Sequence, residues 1–113
     1  MPLRIQNITA EAHQQHIIVF DESEIELTLR YYFPVEMWAF DVVYKDNVAN
    51  GYKLSTDVLH MRSRNLPFDF IVRDNTDAGL DPFRLDDFAA GRCSLYLLDS
   101  SDMELIRDAP VPI

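Results

Sequence analysis

The 113-residue chain sets ten lysine and arginine residues against nineteen aspartate and glutamate, for a net charge of -9, and is 48% hydrophobic and 12% aromatic. That composition supports one folded domain spanning residues 1–113 and is too apolar for a disordered tail. The negative charge repels nucleic-acid phosphates and anionic lipid surfaces, so neither nucleic acid nor membrane is expected as a partner. Cys93 is the only cysteine, which excludes an internal disulfide, argues against a zinc–thiolate site and fits synthesis in a reducing compartment. No run approaches the roughly 18 consecutive apolar residues of a membrane span, and no basic segment followed by an apolar run opens the chain. A soluble chain without a cleaved leader is therefore expected.

In chain order, Leu3, Ile5 and Ile8 point to a short first strand, or an arm over residues 1–9. Residues 10–15 are polar and read as a loop. Residues 16–20 are rich in β-branched side chains and read as a strand, with Asp21, Glu22 and Ser23 turning the chain. Residues 25–45 then organise the rest, as two antiparallel strands about a turn at residues 33–36. Ile25, Leu27, Leu29 and Tyr31 share one face by the period of two, and Trp38, Phe40, Val42 and Tyr44 share one face of the returning strand. Pro34 suits the reversal, since it fixes its own φ and offers no N–H to a ladder.

Residues 46–51 read as a hairpin loop in which Asn50 and Gly51 supply positive φ, with Tyr52 and Leu54 starting the return. Residues 55–64 fit neither period and are read as a turn of helix or an irregular crossing. Phe68, Phe70 and Val72 alternate with Asp69, Ile71 and Arg73, giving a strand over 68–74. A loop follows, then a short helix with Asp81 as its cap, Pro82 first, and Leu85, Phe88 and Ala89 on one face, stopped by Gly91. Residues 93–98 form a strand, and Met103, Leu105 and Ile106 read as a short last strand before a tail containing Val111 and Ile113.

Little here carries chemistry. The window from Asp74 to Leu85 has glycine at its sixth position, as in a calcium loop, but Thr76, Ala78 and Leu85 stand where oxygen ligands are required. His13, His16 and His60 match no catalytic or metal-ligand spacing. Cys93 continues a strand pattern and reads as a buried thiol. No catalytic, cofactor-binding or metal-ligating residue is expected, and no cofactor. The Trp38, Phe40 and Tyr44 stripe reads as core, with a stacking platform for a small ligand as the alternative.

Several stretches together are familiar: residues 25–44 with Trp38, then Leu66-Pro67-Phe68 leading to Asp74, then Asp81-Pro82 with Leu85-Asp86-Asp87-Phe88, and finally residues 92–98 with Leu95-Tyr96-Leu97. In this order the chain resembles the baseplate plug proteins of contractile-tailed phages, of the cyanophage type. The resemblance implies a mainly β fold, a small antiparallel barrel or sandwich-like domain with one short helix. It further implies a non-enzymatic structural subunit of a phage or prophage tail baseplate, made in the host cytoplasm. Such a subunit would repeat around the tail axis with three-fold or six-fold symmetry and pack against hub, wedge and tail-tube proteins.

Two other readings compete with it, a standalone ligand-binding β module using the Trp38 face and a metal hydrolase using Asp74 or Asp77. Strands apolar on both faces favour assembly, because an isolated small sheet ordinarily shows water one polar face. Met37 and Val43 oppose the Trp38 stripe, and Tyr96 and Leu98 oppose Leu95 and Leu97. With Val111 and Ile113 of the tail, these are the expected interface residues.

Overall fold

The computed structural model describes residues 2–61 and 66–107, the last three by backbone alone. Among these residues, seven strands and one α-helix follow in order: β1 (Leu3–Arg4), β2 (His13–Phe20), β3 (Ser23–Tyr32), β4 (Met37–Tyr44), β5 (Asn47–Lys53), β6 (Phe68–Asp74), β7 (Cys93–Asp99) and α1 (Ser100–Arg107). They make two antiparallel sheets, one of four strands ordered β2-β3-β4-β5 and one of three ordered β1-β7-β6. The expected mainly β fold is thus present. The described strands do not close into a barrel, because no strand pairing joins one sheet to the other.

The β3–β4 pair is the anticipated one. Its reversal is a 3-10 turn at Phe33–Val35, with Pro34 in the first turn and Glu36 left-handed at φ 49°. Ile25, Leu27, Leu29, Trp38, Phe40, Val42 and Tyr44 are all buried and meet Phe68, Phe70, Val72, Cys93, Leu95 and Leu97 of the other sheet in one core. Edge-to-face aromatic pairs tie the sheets together, Phe40 to Phe70 at 5.7 Å and Tyr44 to Phe68 at 5.1 Å between ring centres. Ile5 enters this core just beyond β1 and donates its N–H to the Leu95 carbonyl at 2.8 Å.

Four readings need correction. The polar segment read as a loop at residues 10–15 is strand from His13 onward, since β3 is long enough to extend the ladder to His13–Arg30 whatever the side chains. The hairpin loop is only Lys45 and Asp46, with Lys45 at φ 53°, and Asn50 and Gly51 lie inside β5. There they face Asp41 alone, at a bulge where the register shifts between Phe40 and Val42. Gly51 takes φ 76° and donates its N–H to Asp41 Oδ1 at 2.7 Å, so the glycine serves the bulge and not the turn.

The expected helix after Pro82 is a run of turns, held by side-chain bonds from Asp87 that are set out below. The expected last strand is α1. Asp99 and Asp102 cap it reciprocally: the Asp102 N–H donates to Asp99 Oδ1 at 2.9 Å and the Asp99 N–H to Asp102 Oδ2 at 3.2 Å. Packed against β7 and β6, α1 buries Met103. Of residues 55–64, read as a turn of helix or an irregular crossing, 55–61 are irregular and 62–64 lie outside the described residues. At the start of this segment the Leu54 N–H donates to the Trp38 carbonyl and the Asp57 N–H to the Val72 carbonyl, each at 2.9 Å.

Candidate functional site

Asp74 at the end of β6 and Asp87 in the loop between β6 and β7 are buried beside Arg92, the hub of that loop. Its guanidinium donates through Nε to Asp87 Oδ1 at 2.9 Å and through an Nη to Asp87 Oδ2 at 2.9 Å, a two-point grip. The same side chain donates to the Asp81 carbonyl at 2.8 Å, pairs with Asp74 Oδ2 at 3.3 Å and lies over the Phe83 ring at 5.0 Å. Asp87 also accepts the Phe83 and Arg84 N–H groups at 2.7 and 2.8 Å. Burial pushes the Asp87 carboxyl up, but the bond from Arg92 and these two N–H donors outweigh it and hold it below its ordinary value.

Asp74 accepts from the Thr76 hydroxyl at 2.6 Å, the Thr76 N–H at 2.9 Å and the Leu80 N–H at 3.0 Å. The Thr76 hydroxyl, then those two N–H groups, lower its carboxyl to about 2. Asp77, further along the calcium-like window, pairs at the surface with Arg73 at 3.4 Å, and Leu85 packs toward the core. The carboxylate that would open a calcium loop is thus committed to folding its own loop.

Other candidates are likewise absorbed into structure. Trp38 is 0% exposed and its Nε1–H donates to the Arg84 carbonyl at 3.0 Å, so the stripe offers no stacking face to a ligand. His60 Nε2 accepts the Ser55 N–H and its Nδ1 donates to the Phe70 carbonyl, both at 2.8 Å, an arrangement that fixes its tautomer. His16 lies beside Gln14 on β2, its pKa lowered by burial. Cys93 is buried, which pushes its thiol up to about 11, far from a thiolate nucleophile. Asp69 is buried with its oxygens accepting the Met61 and Phe70 N–H groups, and burial raises its pKa.

The expected interface residues divide. Met37, Val43 and Tyr96 are half-buried, Leu98 is buried, and Val111 and Ile113 lie outside the described residues. Tyr96 and Leu98 line an open groove of about 380 Å³ on the outer face of the three-stranded sheet, together with Pro2, Asp57, Ile71 and Arg73. Val43 belongs to a row across the outer face of the four-stranded sheet, in which Ile17 pairs with Glu26, Glu26 with Val43, and Val43 with Val48. The ends of that row are open to solvent, Ile17 at 50% and Val48 at 52%, and Val19 beside it is 74% exposed.

Sequence reasoning missed Arg92 as the organiser of the loop and missed β2 as an exposed apolar strand. For the first, the signal available was an arginine directly after Gly91, downstream of five aspartates at 74, 77, 81, 86 and 87, which nothing in the spacing sets apart from Arg84. For the second it was Ile17 and Val19, whose alternation places them opposite Ile18 and Phe20.

Fold and sites together define a small two-sheet β domain whose charged clusters brace its own backbone and whose outward features are apolar patches. The family model for the cyanophage baseplate Pam3 plug gp18 matches residues 3–100, from the first residue of β1 to the first of α1. The chain belongs to this baseplate plug family. A comparison with curated proteins finds no match.

Proposed function

We propose that the chain is a non-enzymatic structural subunit of a contractile-tail baseplate, a sandwich-like plug that packs around the central hub and tube. The observation that carries this reading is a family match that takes in all seven strands. The committed buried carboxylates and the alkaline-shifted Cys93 support a structural role, because none is poised as an acid, base or nucleophile. Its partners are other baseplate proteins, hub, wedge and tail tube among them, and copies of itself in three-fold or six-fold array. Met37, Val43, Tyr96 and the groove bordered by Leu98 are the surfaces for these contacts, with Val111 and Ile113 of the tail.

The test uses Val43→Lys and, separately, removal of residues 109–113. Val43 stands opposite Glu26, so a lysine there forms a favourable cross-strand pair in the isolated domain while charging the outer face. Both variants are expected to fold normally by circular dichroism and to enter tails about tenfold less than wild type, the scale of a contact worth about 1.4 kcal/mol. Normal incorporation of both would reject these interfaces.

A further inference from the structure

The two sheets have four outer edges, and among the described residues three are shielded. β1 is a two-residue strand, too short to template another chain. On the free side of β6, Thr56 forms a parallel bridge to Val72 and the Asp57 N–H occupies the Val72 carbonyl. β5 is broken by the bulge opposite Asp41, contains Gly51 at φ 76° and ends in Lys53.

β2 has no such protection. It runs eight residues, His-Gln-Gln-His-Ile-Ile-Val-Phe, with no proline, glycine, lysine or acid, and pairs with β3 in an unbroken register from His13–Arg30 to Phe20–Ser23. The Ala12 carbonyl accepts the Tyr31 N–H at 2.8 Å, so strict alternation turns the N–H and C=O of His13, Gln15, Ile17 and Val19 toward the free edge. These four residues are also the exposed ones, Val19 most of all. The ladder of free backbone donors and acceptors therefore coincides, at Ile17 and Val19, with exposed apolar side chains.

Charge selects the occupant. Glu26 pairs with Ile17 and Glu24 with Val19, one strand in from the edge, and Asp21 and Glu22 form the adjoining turn. None of these four carboxylates has an ion-pair partner among the described residues, whereas Arg30 is taken by Asp41 at 2.8 Å. A second copy would bring its own charge of -9 to the same edge. We infer that β2 is a strand-addition site for an extended basic segment of a different protein, with lysine or arginine on the face it shares with Ile17 and Val19, stems along those side chains and charges toward Glu24 and Glu26, and with apolar residues at the alternate positions beside half-buried Ile18 and Phe20. This deepens the baseplate reading by naming how one partner attaches, and it is testable on the isolated chain.

The experiment follows backbone amide exchange by NMR on the full chain, alone and with a capped eight-residue peptide alternating valine and lysine, with an alternating valine–glutamate peptide as control. In the free chain the amides of His13, Gln15, Ile17 and Val19 should exchange about a hundredfold faster than those of Gln14, His16 and Ile18. The basic peptide should slow the fast set about tenfold, and the acidic peptide should not. Ile17→Pro removes one outward N–H and no ladder bond, and should abolish the effect. Ile17→Lys keeps the N–H, adds repulsion and should weaken it, which covers failure of the proline variant to fold.

Protection of the fast set in the free chain, independent of concentration, would mean that the edge is covered within the chain and would overturn the inference. Protection that grows with protein concentration would assign the edge to a second copy and overturn it equally. Equal effects of both peptides, or none, would do the same. Because no tail is involved, these outcomes leave the incorporation test of the baseplate reading untouched.

Discussion

Arg92 does for the β6–β7 loop what a small hydrophobic core does elsewhere, gathering Asp74, Asp87 and the Asp81 carbonyl on one guanidinium. Acid should loosen it. Asp74, at about 2 against an ordinary 3.8, is favoured in its ionised form by folding, so its contribution is fully present above about pH 4 and is lost as pH falls toward about 2. Asp87 is shifted in the same direction, and Asp69, raised by burial, opposes both. Denaturation midpoints should therefore fall between about pH 5 and about pH 2, and Asp74→Asn should be less stable at neutral pH with a shallower fall. An identical acid slope in the variant would contradict this assignment.

Trp38 is the second decisive residue, filling the core between Tyr31 and Phe88 with ring centres 5.4 and 5.6 Å away and giving its one polar hydrogen to Arg84. Trp38→Ala should cost about 3 to 5 kcal/mol by chemical denaturation. Native tryptophan emission typical of a solvent-exposed ring would contradict the burial. This site was legible in the sequence, because alternation along residues 37–44 depends on nothing distant. The Arg92 cluster was not, since it joins aspartates 18 and 5 residues upstream whose meeting depends on how the loop folds.

At the scale of elements, the strands that were read well are those whose apolar alternation is strong, β3, β4, β6 and β7. Two of the misreadings have a local cause. Leu85, Phe88 and Ala89 do satisfy helical spacing, but Asp87 draws the Phe83 and Arg84 N–H groups to its own carboxylate and the segment settles as turns. In α1 the spacing of Met103 and Leu105 imitates a strand, while the capping box Asp99-Ser-Ser-Asp102 marks a helix start and wins. Asp99→Ala should accordingly destabilise the protein by about 1 kcal/mol and speed amide exchange in α1 before it affects the sheets. Uniform acceleration through both sheets would show instead that α1 and the sheets open as one unit.

For the whole molecule, a core shared by two sheets leaves outward surfaces of unlike character: an apolar groove beside Tyr96, a row from Ile17 to Val48, and the open edge of β2. Membership of the plug family implies contact with other baseplate proteins, and the proposed function assigns that contact to these surfaces. The most direct measurement is a cryo-electron reconstruction of tails from the phage that encodes the chain. It should show copies of this domain repeated in three-fold or six-fold array around the axis at the baseplate, with Val43, Tyr96 and β2 covered by neighbouring proteins. Complete baseplates lacking the domain, or copies whose outer faces stand open to solvent, would contradict the account.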